Sequence, residues 1–344
     1  MSALKAPDLL AALPKVELHV HLEGAVKLST VAELARSNDV HLPVGFSLEP
    51  PRNYRDFGPF VDLFTLAARS LRRAEDYERA VMELAQEFAS QRVPYAEVTF
   101  SPSTARVFGT PEEVFLDGLE RGRRRARSEL GVEIAWIFNI VRQWTDRSRN
   151  VPMAEYALDL AIAAREYGVI GLGLGGREAG APPELFRDHF ERARTNGLHS
   201  VPHAGEMADA SSVWGALDDL GAERIGHGIR AVDDARLMRE LVARRVTLEI
   251  CPTSNLRLGL VEDVAAHPLH RLYQAGVPIT ISSDDPALFG TTLTDELVLA
   301  SAALRLDHAG LVELVVAGVR ASFLERARKE ELEASIRAVA RALQ

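Results

Sequence analysis

The chain has 344 residues, of which 47% are hydrophobic and 26% charged, with a formal net charge of −9. That length suits one α/β barrel, and the acidic balance argues against binding nucleic acid or an anionic membrane. Cys251 is the only cysteine, which excludes an internal disulfide and fits a reducing compartment; with no apolar run of about 18 residues and no signal-like leader, the expected location is cytoplasmic.

Short apolar segments alternate with longer stretches of helical periodicity, with no repeats and no Gly/Ser/Pro linker, so residues 1–344 read as one domain. The strands expected are Val16–Leu22, Tyr95–Ser101, Glu133–Val141, Val169–Gly175, His199–Gly205, Arg224–Gly228, Thr247–Pro252 and Pro278–Ser283. Apolar spacing of three and four between them, as in Tyr77–Gln91 and Asp234–Arg244, predicts crossover helices. Eight such units imply a (β/α)₈ barrel. Two stretches exceed the minimal plan. Ser29–Arg73, with four prolines in Leu42–Pro59, reads as helices and a flap over the barrel mouth. The tail after Asp295 reads as a helical extension, clearest at Leu311–Val319 and Lys329–Leu343.

Catalytic groups of such barrels project from the carboxyl ends of the strands. The first strand ends in His19, His21 and Glu23, the fifth in His203 and Glu206, the sixth in His227, and the eighth in Asp284 and Asp285. His19 and His21 are two apart, so both face one side of the strand. Alone they read as core histidines and Ser283–Pro286 reads as a turn; together, three imidazoles and the Asp284 carboxylate suit one zinc ion with a position left for water. Hydrolysis of a C=N bond also needs a proton donor to the ring nitrogen and a base for the water. Glu206, three residues beyond His203, and His227, between two glycines, fit those needs. Gly171, Gly173 and Gly176 match GxGxxG, but Pro182 and Pro183 delay the helix a dinucleotide site requires; the glycines are expected to let a flat ligand lie against the backbone. The run Arg121–Arg127 reads as a solvated helix face, and Cys251 as a buried small residue.

The segments LPKVELHVHLEGA, VPHAGE, ERIGHG, LEICPTSN and SSDDPALF, in this order, resemble the adenosine deaminase family over nearly the whole chain. The resemblance implies one zinc held by His19, His21, His203 and Asp284. It makes Glu206 the donor to purine N1, His227 the residue that orients the attacking water, Asp285 the partner of N7, and Gly176 the backbone that meets N3. Asp284 thus counts as catalytic as well as ligand, and His21 as close to substrate. Two positions depart from the family's nucleoside enzymes. Glu23 stands where an aspartate commonly meets the ribose 5′-hydroxyl, and Arg177, in LGGRE, stands at a commonly acidic position. Both concern what hangs from N9.

The expected activity is therefore zinc-dependent hydrolytic deamination of a 6-aminopurine nucleoside, adenosine by default. The alternatives are 6-aminodeoxyfutalosine, whose carboxylate could pair with Arg177, and free adenine. Hydrolysis of an ester or amide, or a non-catalytic ligand-binding protein, fits the complete set of polar positions less well.

Overall fold

A computed structural model describes residues 5–54, 56–142 and 147–343. All eight expected strands form: β1 Val16–His21, β2 Tyr95–Phe100, β3 Glu133–Arg142, β4 Val169–Gly176, β5 His199–Ala204, β6 Arg224–His227, β7 Thr247–Ile250 and β8 Ile279–Ile281. They pair in parallel in sequence order. Nearly every strand residue is buried, as β strands enclosed by helices on one face and a packed interior on the other must be. Closure comes from just beyond β8. Asp284 donates its N–H to the His19 carbonyl at 2.9 Å, and its own carbonyl accepts the His21 N–H at 2.8 Å. Three of the four expected metal ligands, His19, His21 and Asp284, thus also close the barrel seam, and His203 stands across from them on β5.

The strand ends fall one or two residues short of the expected limits at β1, β2, β5, β6, β7 and β8. The polar residues expected at strand tips lie just where the ladder gives way to loops. β3 and β4 run one residue longer, which brings Arg142 opposite Gly176.

Helix Phe57–Ser70 stands over the mouth. Asp56 caps it, accepting the Gly58 N–H at 2.8 Å, and Pro59 is tolerated because it lies in the first turn. The cover over the cavity is the first part of this helix, whereas most of the proline-containing run before it is irregular. Phe60 stacks on Phe289, centroids 5.1 Å apart and planes at 11°, and the Tyr54 hydroxyl donates to the Leu288 carbonyl at 2.8 Å. The mouth helix is therefore tied to the segment following β8. Three helices, Leu293–Leu304, His308–Ala321 and Arg326–Ala342, form the C-terminal part. The middle one packs against β8 and β1.

The glycines of β4 do not all serve a ligand. A Cβ on Gly171 would lie 2.7 Å from Ile137 Cδ1, and one on Gly173 would lie 3.0 Å from Asn139 Oδ1. These two make room for side chains of neighbouring β3; only Gly176 lines the cavity. Arg121 and Arg125 pair with Glu78, and Arg125 also with Glu129 at 2.8 Å, on an exposed helix surface. Cys251 is buried.

Candidate active site

A cavity of about 920 Å³ opens at the carboxyl ends of the strands. His21, His203, Glu206, His227, Asp284 and Asp285 lie on its floor. Aromatic and aliphatic side chains from the mouth helix, from the segment after β2 and from the end of β3 form its wall, among them Phe57, Phe64, Phe108 and Val141. Every residue of the floor is under a tenth exposed.

His19, His21, His203 and Asp284 each offer a ligand atom within 4.8 Å of all the others. His21 Nε2 is 3.2 Å from His203 Nε2, and Asp284 Oδ1 stands 3.4 Å from His19 Nε2 and 3.5 Å from His21 Nε2. These are separations across a shared ligand, and His19 Nε2 is buried with no hydrogen-bond partner. Converging imidazole nitrogens beside a carboxylate, one of them without a partner, are costly to bury unless a cation holds them together. The donor set of three nitrogens and one oxygen fits a metal ion. The electrostatics agree. Burial disfavours a charged His19, yet the Asp284 and Glu249 carboxylates push it up to about 10. Burial pulls His21 down to about 4 and His203 well below the usual histidine range. Burial would raise Asp284, but the surrounding imidazoles hold it well below the ordinary carboxylate value. The pocket stabilises positive charge at one point, which a proton or a metal can supply.

Local packing explains why these residues meet. Gly226 has no side chain because a Cβ there would lie 2.6 Å from the His19 ring and 3.1 Å from His203 Cγ. Likewise a Cβ on Gly24 would overlap the Asp285 carboxylate. His227 and Asp284 hold left-handed backbone, φ +61° and +63°, a conformation uncommon outside glycine that Asp and His adopt more readily than most residues. Glu249 was not singled out from the sequence, although it lies in LEICPTSN. Its Oε2 is 2.8 Å from His19 Nδ1, and Arg224 holds its other oxygen at 2.5 Å and also pairs with Glu97. A carboxylate on the far ring nitrogen fixes the imidazole's orientation and tautomer.

Glu206 Oε1 lies 3.7 Å from His227 Nε2. Burial, with the negative charges of Asp284 and Glu178, raises the Glu206 carboxyl well above its ordinary value. Burial and Asp284 do the same to Asp285, whose Oδ1 is buried without a partner. Burial brings His227 down to about 4, and Asn255 stands 3.5 Å from its Nδ1. The floor thus places two carboxyls whose surroundings favour the protonated form beside an imidazole whose surroundings favour the neutral form.

The two specificity positions fall differently. Arg177 lines the cavity and is exposed at its rim. Glu23 is not in the lining. It is buried, with Oε1 accepting the Ser101 N–H at 2.9 Å and Oε2 unpartnered. Sequence reasoning also missed Arg142, Asn139 and Glu178. The first two line the cavity from β3, which looks like any apolar strand, and Glu178 is the unassigned last residue of LGGRE.

Residues 14–339 match the model of the adenosine deaminase family. The chain belongs to that family. It is 40% identical to an aminodeoxyfutalosine deaminase of Streptomyces coelicolor over 94% of this chain and 83% of that protein. It is 38% identical to an adenine deaminase of Rhodospirillum rubrum over 97% of this chain and 98% of that one. Among solved structures, a zinc-bound amidohydrolase from Burkholderia ambifaria superposes with a TM-score of 0.90 at 26% identity, covering 100% of this chain and 95% of the other. The protein is an aminohydrolase of this family on a barrel of eight parallel strands. Among the described residues, no helix is long and apolar enough to cross a membrane.

Proposed function

We propose that this enzyme is a zinc-dependent deaminase of a 6-aminopurine whose N9 substituent is a 5′-extended, acidic nucleoside tail of the 6-aminodeoxyfutalosine type. The observation that carries this reading is the cavity. At about 920 Å³ it matches a drug-sized ligand, and a bare purine fills only a small part of it. Its wall is apolar and aromatic, and Arg177 stands at its rim in position to pair with a carboxylate. The aminodeoxyfutalosine deaminase relative supports the same choice over adenosine, the default from sequence. Free adenine is the second reading, favoured by the similarity to adenine deaminases.

In this reading His19, His21, His203 and Asp284 hold zinc, which supplies acidification of a water molecule. Asp285, kept neutral by burial, donates to purine N7, and the Gly176 backbone meets N3. Glu206 donates its proton to N1, which makes C6 electrophilic. His227 orients the water and takes its proton as oxygen adds to C6. The C6–N6 bond then breaks: N6 leaves as ammonia carrying the proton that His227 took from water, the proton from Glu206 stays on N1 of the 6-oxo product, and the remaining hydroxyl proton returns to Glu206. Water is thus the only co-reactant.

The test is a substrate panel of 6-aminodeoxyfutalosine, adenosine, deoxyadenosine and adenine, ranked by kcat/KM. The proposal expects the acidic nucleoside first. Adenine ahead of every nucleoside would replace it with the second reading.

A further inference from the structure

His203 stands near the end of β5 and Glu206 in the loop just after it, and the backbone of that loop is built around a side chain from the segment after β4. Glu178 follows β4 and is buried. Its two carboxylate oxygens accept the N–H groups of four consecutive residues: Gly205 at 2.8 Å, Glu206 at 3.0 Å, Met207 at 2.6 Å and Ala208 at 2.8 Å. The Ser212 hydroxyl adds a fifth bond at 2.7 Å. Consecutive amides pointing one way form the concave nest that usually binds a free anion. Gly205 makes the turn possible with φ +66°, and a Cβ there would lie 2.3 Å from Val213. On the other side of the loop, Arg142 from β3 donates Nη2 to the His203 carbonyl at 3.0 Å. The chain is gripped by its carbonyl at His203 and by its amides from Gly205 to Ala208.

We propose that Glu178 is a positioning residue that sets the Glu206 carboxyl at the height of the purine ring, with Arg142 as the opposing half of the same clamp. This rests on the reading of Glu206 as the proton donor. Neither clamp residue need touch the reacting atoms. The nest would let an internal carboxylate replace a free anion, so the loop needs no ligand to adopt its catalytic shape.

Glu178→Ala should leave four amides and a hydroxyl converging on an empty, anion-sized space. Zinc per chain and KM should stay near the parent values, while kcat per zinc-loaded site falls by about 10²-fold, the scale of a displaced catalytic group. Formate should restore kcat saturably, and chloride at equal ionic strength should not. A purely structural role would lower Tm or zinc content and show no formate-dependent kcat. Unchanged kcat per site, a loss fully accounted for by missing zinc, or failure of formate to restore turnover would each overturn the proposal. If Glu178→Ala does not fold, Glu178→Gln carries the same split of kcat from KM, and an unchanged kcat there overturns it equally. Glu206→Gln is measured in parallel. Near-normal turnover in that variant refutes the donor reading itself, whereas an inactive Glu206→Gln beside a fully active Glu178 variant refutes only the clamp.

Discussion

Asp284 meets His19 twice: its backbone N–H donates to the His19 carbonyl at 2.9 Å, and its carboxylate Oδ1 stands 3.4 Å from the same residue's Nε2. One contact closes the barrel and the other belongs to the candidate metal set, so metal occupancy and barrel integrity are linked. Native protein should carry one zinc per chain by elemental analysis. Stripping it with a chelator should abolish turnover and lower Tm, and added zinc should restore both. A metal present at a hundredfold excess over its Kd contributes about 2.7 kcal/mol. Glu249→Gln should weaken zinc affinity by roughly 10–100-fold, because His19 loses the partner that orients it. Full activity after exhaustive chelation would refute the metal assignment.

Glu206→Gln keeps the shape of the side chain and removes the transferable proton. Its kcat should fall by at least ~10²-fold with zinc content unchanged. Loss of zinc would instead make Glu206 a support of the metal site.

Arg177→Met separates the substrates. Adenosine turnover should stay within a few-fold, while kcat/KM for the acidic nucleoside should fall by roughly 10–100-fold, the scale of a charge-assisted pair. Equal effects on both substrates would make Arg177 an ordinary loop residue.

Glu296 offers a pH test away from the site. Burial pushes its carboxyl from 4.5 up to about 7, against the hydrogen bonds from Thr253 and Thr291 that favour the charged form. Between those two pH values the unfolded chain releases a proton that the folded chain retains. Stability from this group is therefore complete below pH 4.5 and is lost as pH rises through about 7. Glutamine imitates the neutral form. From pH 5 to pH 8, Glu296→Gln should gain on the parent enzyme by on the order of 3 kcal/mol, read from urea midpoints. A difference that does not change with pH would show that Glu296 stays ionised.

The barrel was legible because its signals are local. Alternating strands and helices, and polar residues such as His19, His203 and Asp284 at strand ends, stand out along the chain. Glu249 and Glu178 were not, because their work is done across space. Nothing in TLEI says that Glu249 reaches a histidine on β1, and nothing in LGGRE says that Glu178 fills a nest of amides after β5. The β4 glycines misled for the same reason. Their spacing suggests a ligand, but Gly171 and Gly173 yield space to Ile137 and Asn139 on the next strand.

Phe60 on the mouth helix stacks against Phe289, four residues beyond Asp285. The roof of the pocket and the carboxyl at its floor are therefore joined through one pair of rings. Any movement of the helix that widens the mouth for a purine pulls on the segment that carries Asp285. If that coupled movement limits the cycle, viscosity should slow turnover where solvent deuterium does not, and the opposite pattern would show that the chemical step limits it.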